Sequence, residues 1–166
     1  MKQAIVILLP ENKRIRKIRK KYEPNYKKFK LHTTLAFPFE NVNQEKLFQH
    51  IKDSIKNIKP FKLRLGGLRK SPKEYYLYLL AKKGKDKIVK IHKNLYSKIL
   101  TKWLRKDIPY IPHITLGVFK TKKEIDNAIK EIKNQNLILK TKVNAISLLT
   151  LNKDDTIKSI KKFKLK

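Results

Sequence analysis

The 166-residue chain contains four histidines, and two of them share a setting: Leu31-His32-Thr33-Thr34-Leu35 and Pro112-His113-Ile114-Thr115-Leu116. Both read His-x-Thr-Leu and stand about half a chain apart. In extended chain, alternate side chains face opposite sides. His32, Thr34 and Ala36 then share one face, with Leu31, Thr33, Leu35 and Phe37 on the other. His113, Thr115 and Gly117 oppose Ile114, Leu116 and Val118 in the same way. Each run is predicted to bury an apolar back and turn a histidine, a threonine and a small residue toward a common groove, with Ala36 and Gly117 leaving room at its floor. Imidazole titrates near neutrality, so one ring can accept a proton while the other donates one. Cleavage of a phosphodiester needs both at once. Threonine hydroxyls can donate to the non-bridging oxygens, where charge grows in the transition state.

A single His-x-Thr-Leu is a weak signal, and a lone histidine in a strand is more often structural. The remaining two histidines show the contrast. His92 follows Ile88 by one helical turn and is expected to pack at the edge of the core. His50 sits at the margin of a helix stripe and is expected to be solvated. Neither has a counterpart elsewhere in the chain. A metal centre would need a third ligand near a motif. Glu40 follows the first motif and nothing comparable follows the second, so no metal and no cofactor is expected.

The elements that would hold these residues follow from periodicity. Residues 3–9 read as a buried strand. Residues 12–22 read as a helix with Ile15, Ile18 and Tyr22 on one stripe and arginines and lysines around the rest. That basic face could contact RNA or could simply be solvated. Residues 30–37 form a strand closed by Pro38, and 43–58 a helix ended by Pro60. Residues 61–69 and 75–82 form a hairpin across Lys70–Glu74. A long helix spans 85–104, a strand 112–119 and a helix 122–134. Two final strands cover 137–151 and 156–165. The order strand, helix, His-x-Thr-Leu strand occurs twice, over 3–37 and 75–119. This reads as a degenerate internal duplication. No linker separates the halves, so residues 1–166 are expected to form one domain of two packed lobes.

Composition bounds the remainder. Lys plus Arg is 43 against 13 acids, a net charge of +30. A composition rich in Lys, Ile and Asn raises the lysine count by itself, but it does not explain so few acids. Whatever its origin, such a surface attracts polyanions, nucleic acid above all. Cysteine is absent, which excludes disulfides and thiolate chemistry. The apolar start at residues 4–10 is too short to span a membrane and lacks a cleavage site of small residues. A cytoplasmic monomer with no membrane partner is the expectation. Phe39, Tyr75, Tyr76 and Tyr110 are candidate base-stacking residues, though each taken singly is more readily core or rim packing.

The runs KLHTTLAFPFE and IPHITLGVF resemble the paired signatures of the two-histidine (2H) phosphoesterase superfamily, in particular its 2′-5′ RNA ligase-like, RNA 2′,3′-cyclic phosphodiesterase branch. The resemblance extends over the whole chain, and the motif pair is its specific part. It implies an α+β, two-lobed fold with antiparallel sheets lining a central groove and helices outside. It implies metal-independent hydrolysis of 2′,3′-cyclic phosphates on RNA ends, tRNA among them, or on cyclic nucleotides, leaving a 2′-phosphate. Reversible 2′-5′ ligation would use the same site. His32 and His113 become the catalytic pair, and Thr34 and Thr115 the phosphate ligands. Many such proteins carry an arginine just after the second motif; here Gly117-Val118-Phe119 stands there, and a groove lysine is the expected substitute. The alternative of another class is a non-catalytic RNA- or tRNA-binding module using the same basic groove.

Overall fold

The computed structural model describes residues 1–166. Eight strands and four helices follow one another along the chain: β1 (Gln3–Leu8), α1 (Lys13–Tyr22), β2 (His32–Phe39), α2 (Gln44–Ile55), β3 (Phe61–Lys70), β4 (Tyr76–Lys83), α3 (Lys85–Leu95), β5 (His113–Val118), α4 (Lys122–Ile132), β6 (Ile138–Val143), β7 (Ala145–Leu151) and β8 (Ile157–Lys164). They build two antiparallel four-stranded sheets with strand orders β2-β1-β7-β8 and β5-β4-β3-β6. The fold is α+β, with two lobes related by a pseudo-two-fold duplication. Each His-x-Thr strand is the edge of its sheet, beside the strand that opens its repeat. His32 lies opposite Leu8, and His113 opposite Leu80.

The two edge strands also share a defect. In the first sheet Ile5 and Val6 face Ala36 and Thr34, leaving Leu35 as an extra residue. In the second, Leu77 and Tyr78 face Gly117 and Thr115, leaving Leu116 extra. A β-bulge of this kind breaks the alternation of side chains. From each histidine the strands run half-buried, buried, half-buried, buried, buried, half-buried. Ala36 and Gly117 are therefore buried behind the bulge and do not floor the groove. Phe37 and Val118 come round to the groove side in their place.

Each repeat's helix packs on the other repeat's motif strand, α1 on β5 and α3 on β2. Gly117 permits the first of these contacts. A Cβ there would come within 2.8 Å of Tyr22 Cβ and of the Phe119 ring. One buried cluster takes residues from both sheets together with the apolar stripes of the helices, among them Ile15, Ile51, Ile91, Leu95 and Ile125. Burying a side chain of that size contributes about 1.5–3 kcal/mol, so the interior joins the lobes firmly.

Three boundaries differ from expectation. Strand β2 continues through Pro38 to Phe39, because Pro38 is exposed on an edge strand, where its missing N–H leaves no ladder bond unmade. Helix α3 stops at Leu95, well before residue 104. The Ser97 hydroxyl donates to Asn94 O, and the Thr101 hydroxyl to Tyr96 O and Lys98 O, giving the backbone a substitute for further helix, and only a 3₁₀ turn (Thr101–Trp103) follows. The run 137–151 is two strands in different sheets. β6 pairs with β3, β7 pairs with β1 and β8, and Asn144 alone lies between them. Gly84, at φ +84, starts α3 where a Cβ would lie 2.7 Å from Lys62 O. No helix is long and apolar enough to cross a membrane.

Candidate active site

His32 and His113 open their strands, and each ring is held by the carbonyl two residues earlier. His32 Nδ1 lies 2.7 Å from Lys30 O, and His113 Nδ1 lies 2.5 Å from Ile111 O. A carbonyl can only accept, so Nδ1 carries the hydrogen, and in the neutral ring Nε2 keeps its lone pair. The tautomer is thus set by backbone in both copies.

The groove between β2 and β5 divides into two hollows. The larger, about 250 Å³, is lined by His113, Thr115 and Thr34 with Phe37, Tyr110 and Arg105. The smaller, about 160 Å³, is lined by His32 and Thr115 with Arg19, Glu23, Phe29 and Val118. Tyr76 and Thr115 border both. All four motif side chains therefore line one continuous groove, with Thr115 between the histidines.

The rings are set differently against their walls. Tyr78 stacks on His113 with centroids 3.5 Å apart and planes 18° from parallel. Phe29 lies tilted 5.9 Å from His32. Burial pushes His113 down to about 4; the Ile111 carbonyl opposes this and His32 adds to it. His32 also lies below the usual imidazole value, chiefly through burial. Its Lys30 carbonyl and Glu23 pull upward, and Arg19 pushes further down. Both rings are therefore neutral at neutral pH before an anion enters. Burial, more than the net charge of the protein, sets this state.

No lysine lines either hollow; the cations there are arginines. Arg19 pairs with Glu23 at 3.2 Å, both buried, and also donates to Phe29 O, while its Nε has no partner. Arg105 pairs with Glu74 at 3.3 Å and with Asp107 at 2.6 Å. Each hollow thus holds an arginine already balanced by a carboxylate. Arg19 could have been found from the sequence, because it lies one turn after Ile15 on the helix's apolar stripe. Arg105 comes from an irregular segment and carries no such signal. Ser71 Oγ, in the larger hollow, is buried without a partner.

The backbone of β2 beside the bulge is gripped by the second repeat. Tyr110 donates its hydroxyl to Thr34 O at 2.7 Å, and His92 Nδ1 donates to Leu35 O at 2.8 Å. Phe37 N donates to the Tyr96 hydroxyl at 2.9 Å. His92 stacks on Tyr110 at 3.5 Å, which agrees with the packing expected of it. His50 differs from expectation. It is buried, with Nε2 2.7 Å from Leu95 O, and so ties α2 to the end of α3. Of the aromatic candidates, Tyr76 and Tyr110 line the groove. Phe39 is buried against Trp103, Tyr110 is engaged as described, and Tyr75 is half exposed outside both hollows. Nowhere do three or more His, Asp or Glu side chains gather as a metal site would need, and Glu40 is exposed and apart from the groove.

Two equivalent edge strands presenting two backbone-fixed imidazoles to one groove define a two-histidine phosphoesterase architecture. The chain belongs to the 2′-5′ RNA ligase superfamily, which matches residues 9–155. Among curated proteins it is similar to a Bacillus licheniformis protein named as a phosphoesterase, 27% identical over 103 residues, which cover 60% of this chain and 59% of that relative. Among solved structures it shares its fold with a Thermus thermophilus protein (TM-score 0.62, 17% identity, 99% of this chain and 98% of the other). Escherichia coli LigT complexed with 3′-AMP superposes with a TM-score of 0.57 at 17% identity over 99% and 95% of the two chains. Kluyveromyces marxianus Usb1 with uridine monophosphate gives 0.57 at 10% identity over 99% and 98%.

Proposed function

We propose that this protein is a phosphodiesterase that hydrolyses the 2′,3′-cyclic phosphate of an RNA end or a small nucleotide to a 2′-phosphate, without a metal. His32 and His113 are its acid–base pair, and Thr34 and Thr115 its phosphate ligands. The observation that carries this reading is the matched pair of Nδ1–H···O=C bonds, which leave two Nε2 atoms available to one groove. One Nε2 takes a proton from water as the water oxygen bonds to phosphorus. The P–O3′ bond breaks, and the other Nε2 gives its proton to the departing 3′ oxygen. The threonine hydroxyls donate to the non-bridging oxygens as their charge grows. An arriving phosphate supplies the negative charge that lets one of the two neutral rings take up the proton it must later give. The LigT and Usb1 structures, with 3′-AMP and uridine monophosphate, support a nucleotide as the occupant of the groove.

The test is incubation of the purified protein in EDTA with 2′,3′-cyclic AMP and with an oligonucleotide ending in a 2′,3′-cyclic phosphate, the products read by phosphorus NMR. A 2′-phosphate is expected from both. The net charge of +30 favours a second reading, an RNA-binding module without turnover. Tight binding of the oligonucleotide with neither substrate consumed would establish that reading instead.

A further inference from the structure

The charge of the protein is not spread evenly around its groove. Inside the two hollows each arginine is matched by a carboxylate, Arg19 by Glu23 and Arg105 by Glu74. Just outside, the balance changes. A basin of about 640 Å³ adjoins the His32 hollow and shares Arg19 and Phe29 with it as a common wall. Its rim comes from α1, from the segment joining α1 to β2 and from the β7–β8 turn. Arg16, Lys27, Lys28 and Lys30 surround it, and none of the four is in an ion pair. Arg16 and Tyr26 line the basin together, and Lys28 Nζ donates to the backbone oxygen of Asp154 at 2.9 Å. Glu11 is the one carboxylate residue lining the basin, and Asp154 lies near Lys28. Two aromatic rings, Tyr26 and Phe29, stand among the cations.

We infer that this basin carries the RNA strand next to its reacting end, so that the backbone leaves the His32 hollow over the Arg19–Phe29 wall and lies against Arg16, Lys27 and Lys28. The inference rests on the phosphodiesterase reading and adds to it a polymeric substrate and a path. Single-stranded nucleic acid is held by cationic grooves interleaved with aromatic rings, the cations taking the phosphates and the rings the bases. The basin has both, and it has room for more than the single phosphate that the smaller hollow would hold. A compact anion would gain nothing from a basin beyond the groove, whereas a chain that must leave the groove passes over it. The lysines between α2 and α3 offer a contrast. Lys56, Lys90 and Lys98 line a hollow of about 410 Å³ that has no hydrophobic residue in its lining and shares none with the groove or the basin.

Two triple variants with the same loss of charge test the path: Arg16→Gln, Lys27→Gln, Lys28→Gln in the basin, and Lys56→Gln, Lys90→Gln, Lys98→Gln on the far face. The probe is a single-stranded oligonucleotide of about eight residues ending in a 2′,3′-cyclic phosphate. Its Kd is followed by fluorescence anisotropy across a salt series, beside kcat/KM for it and for 2′,3′-cyclic AMP. In the basin variant Kd should rise about tenfold or more, and the slope of log K against log salt should flatten by about 2, near 0.7 for each phosphate that is no longer neutralised. Cyclic mononucleotide kinetics should stay as in the wild type. The far-face variant should change Kd less than about threefold. Equal losses in both variants would overturn the path and leave a general field, as would an unchanged Kd in the basin variant. If the wild type consumes neither substrate, the phosphodiesterase reading fails. The basin is still judged by the difference in Kd between the two variants.

Discussion

At His113 the ring lies flat on Tyr78 and opens on a hollow of about 250 Å³ with aromatic walls; at His32 the ring meets Phe29 at a tilt and opens on about 160 Å³ walled by the buried Arg19–Glu23 pair. Beneath these walls the two strands match atom for atom in what bears on proton transfer. Each histidine opens an edge strand, each Nδ1 meets the carbonyl two residues back, and each threonine precedes a bulge. The frame was kept through the duplication while the surroundings diverged.

The sharpest way to break this comparison is to remove the imidazoles one at a time. His32→Ala and His113→Ala should each lower kcat/KM by about 10²–10⁴ with the fold intact by circular dichroism. The double variant should be little worse than either single one, because the pair acts as a unit. Near-native turnover in either single variant would end the equivalence.

The threonines sharpen it. Thr34→Ala and Thr115→Ala should cost about 10–10³-fold in kcat/KM, each losing one donor to the phosphate. Thr115 borders both hollows and Thr34 only one, so Thr115→Ala should be the more damaging. The reverse order in steady-state kinetics would mean that phosphate sits nearer β2.

The backs of the strands can be compared as well. Gly117→Ala drives a methyl group against Tyr22 Cβ and should destabilise the protein by about 1–3 kcal/mol in urea titration. Ala36→Gly, at the equivalent place on β2, removes only a small buried methyl group and should cost about 1 kcal/mol. Equal costs would show that α1 and α3 approach their strands alike.

A gentler probe is pH. Both imidazoles are depressed when the groove is empty, His113 to about 4, so the limbs of kcat/KM should lie below about 6.5. Bound phosphate favours the imidazolium, so the limb of the acid should move upward in kcat. The same depression bears on stability. Between the unfolded value near 6.5 and the folded value near 4, the unfolded chain binds more protons at His113 than the folded one does. Its contribution is therefore present above pH 6.5 and is lost as pH falls toward 4. His113→Phe should flatten that part of the curve of stability against pH. The smallest effect expected is none at all: EDTA should leave kcat/KM unchanged, and loss with rescue by zinc or manganese would move the chain to another mechanism.

The sequence made the two motifs, their strand placement and the duplication legible, because alternation and a repeated tetrapeptide survive without tertiary context. The bulges were not legible. Leu35-Ala36 and Leu116-Gly117 continue the alternating pattern on paper, and only strand pairing shows that both members of each pair are buried. For the same reason alternation alone puts Phe37 and Val118 on the apolar face, whereas the bulges turn them to the groove. The run 137–151 read as one strand because β6 and β7 are both apolar and Asn144 alone marks the crossing. His50 looks solvated in sequence because its partner, Leu95 O, is free only where α3 ends, and that end is set by hydroxyl caps rather than by periodicity. The hollows' arginines come from the helix that packs across on β5 and from the irregular segment ahead of β5, neither of which carries a motif.

The pairing of β1 with β7 has a consequence for how the chain is made. Gln3 lies opposite Thr150, and Val6 opposite Ser147, so an apolar strand waits for a neighbour translated about 140 residues later. At about 5–20 residues per second, that edge of β1 stays open for roughly 7–30 seconds on the ribosome. β2 can cover its other edge early, but β1 has both its neighbours only once β7 has emerged. A ribosome-bound chain halted before residue 145 should therefore expose an unpaired hydrophobic edge to chaperones, whatever progress its second repeat has made.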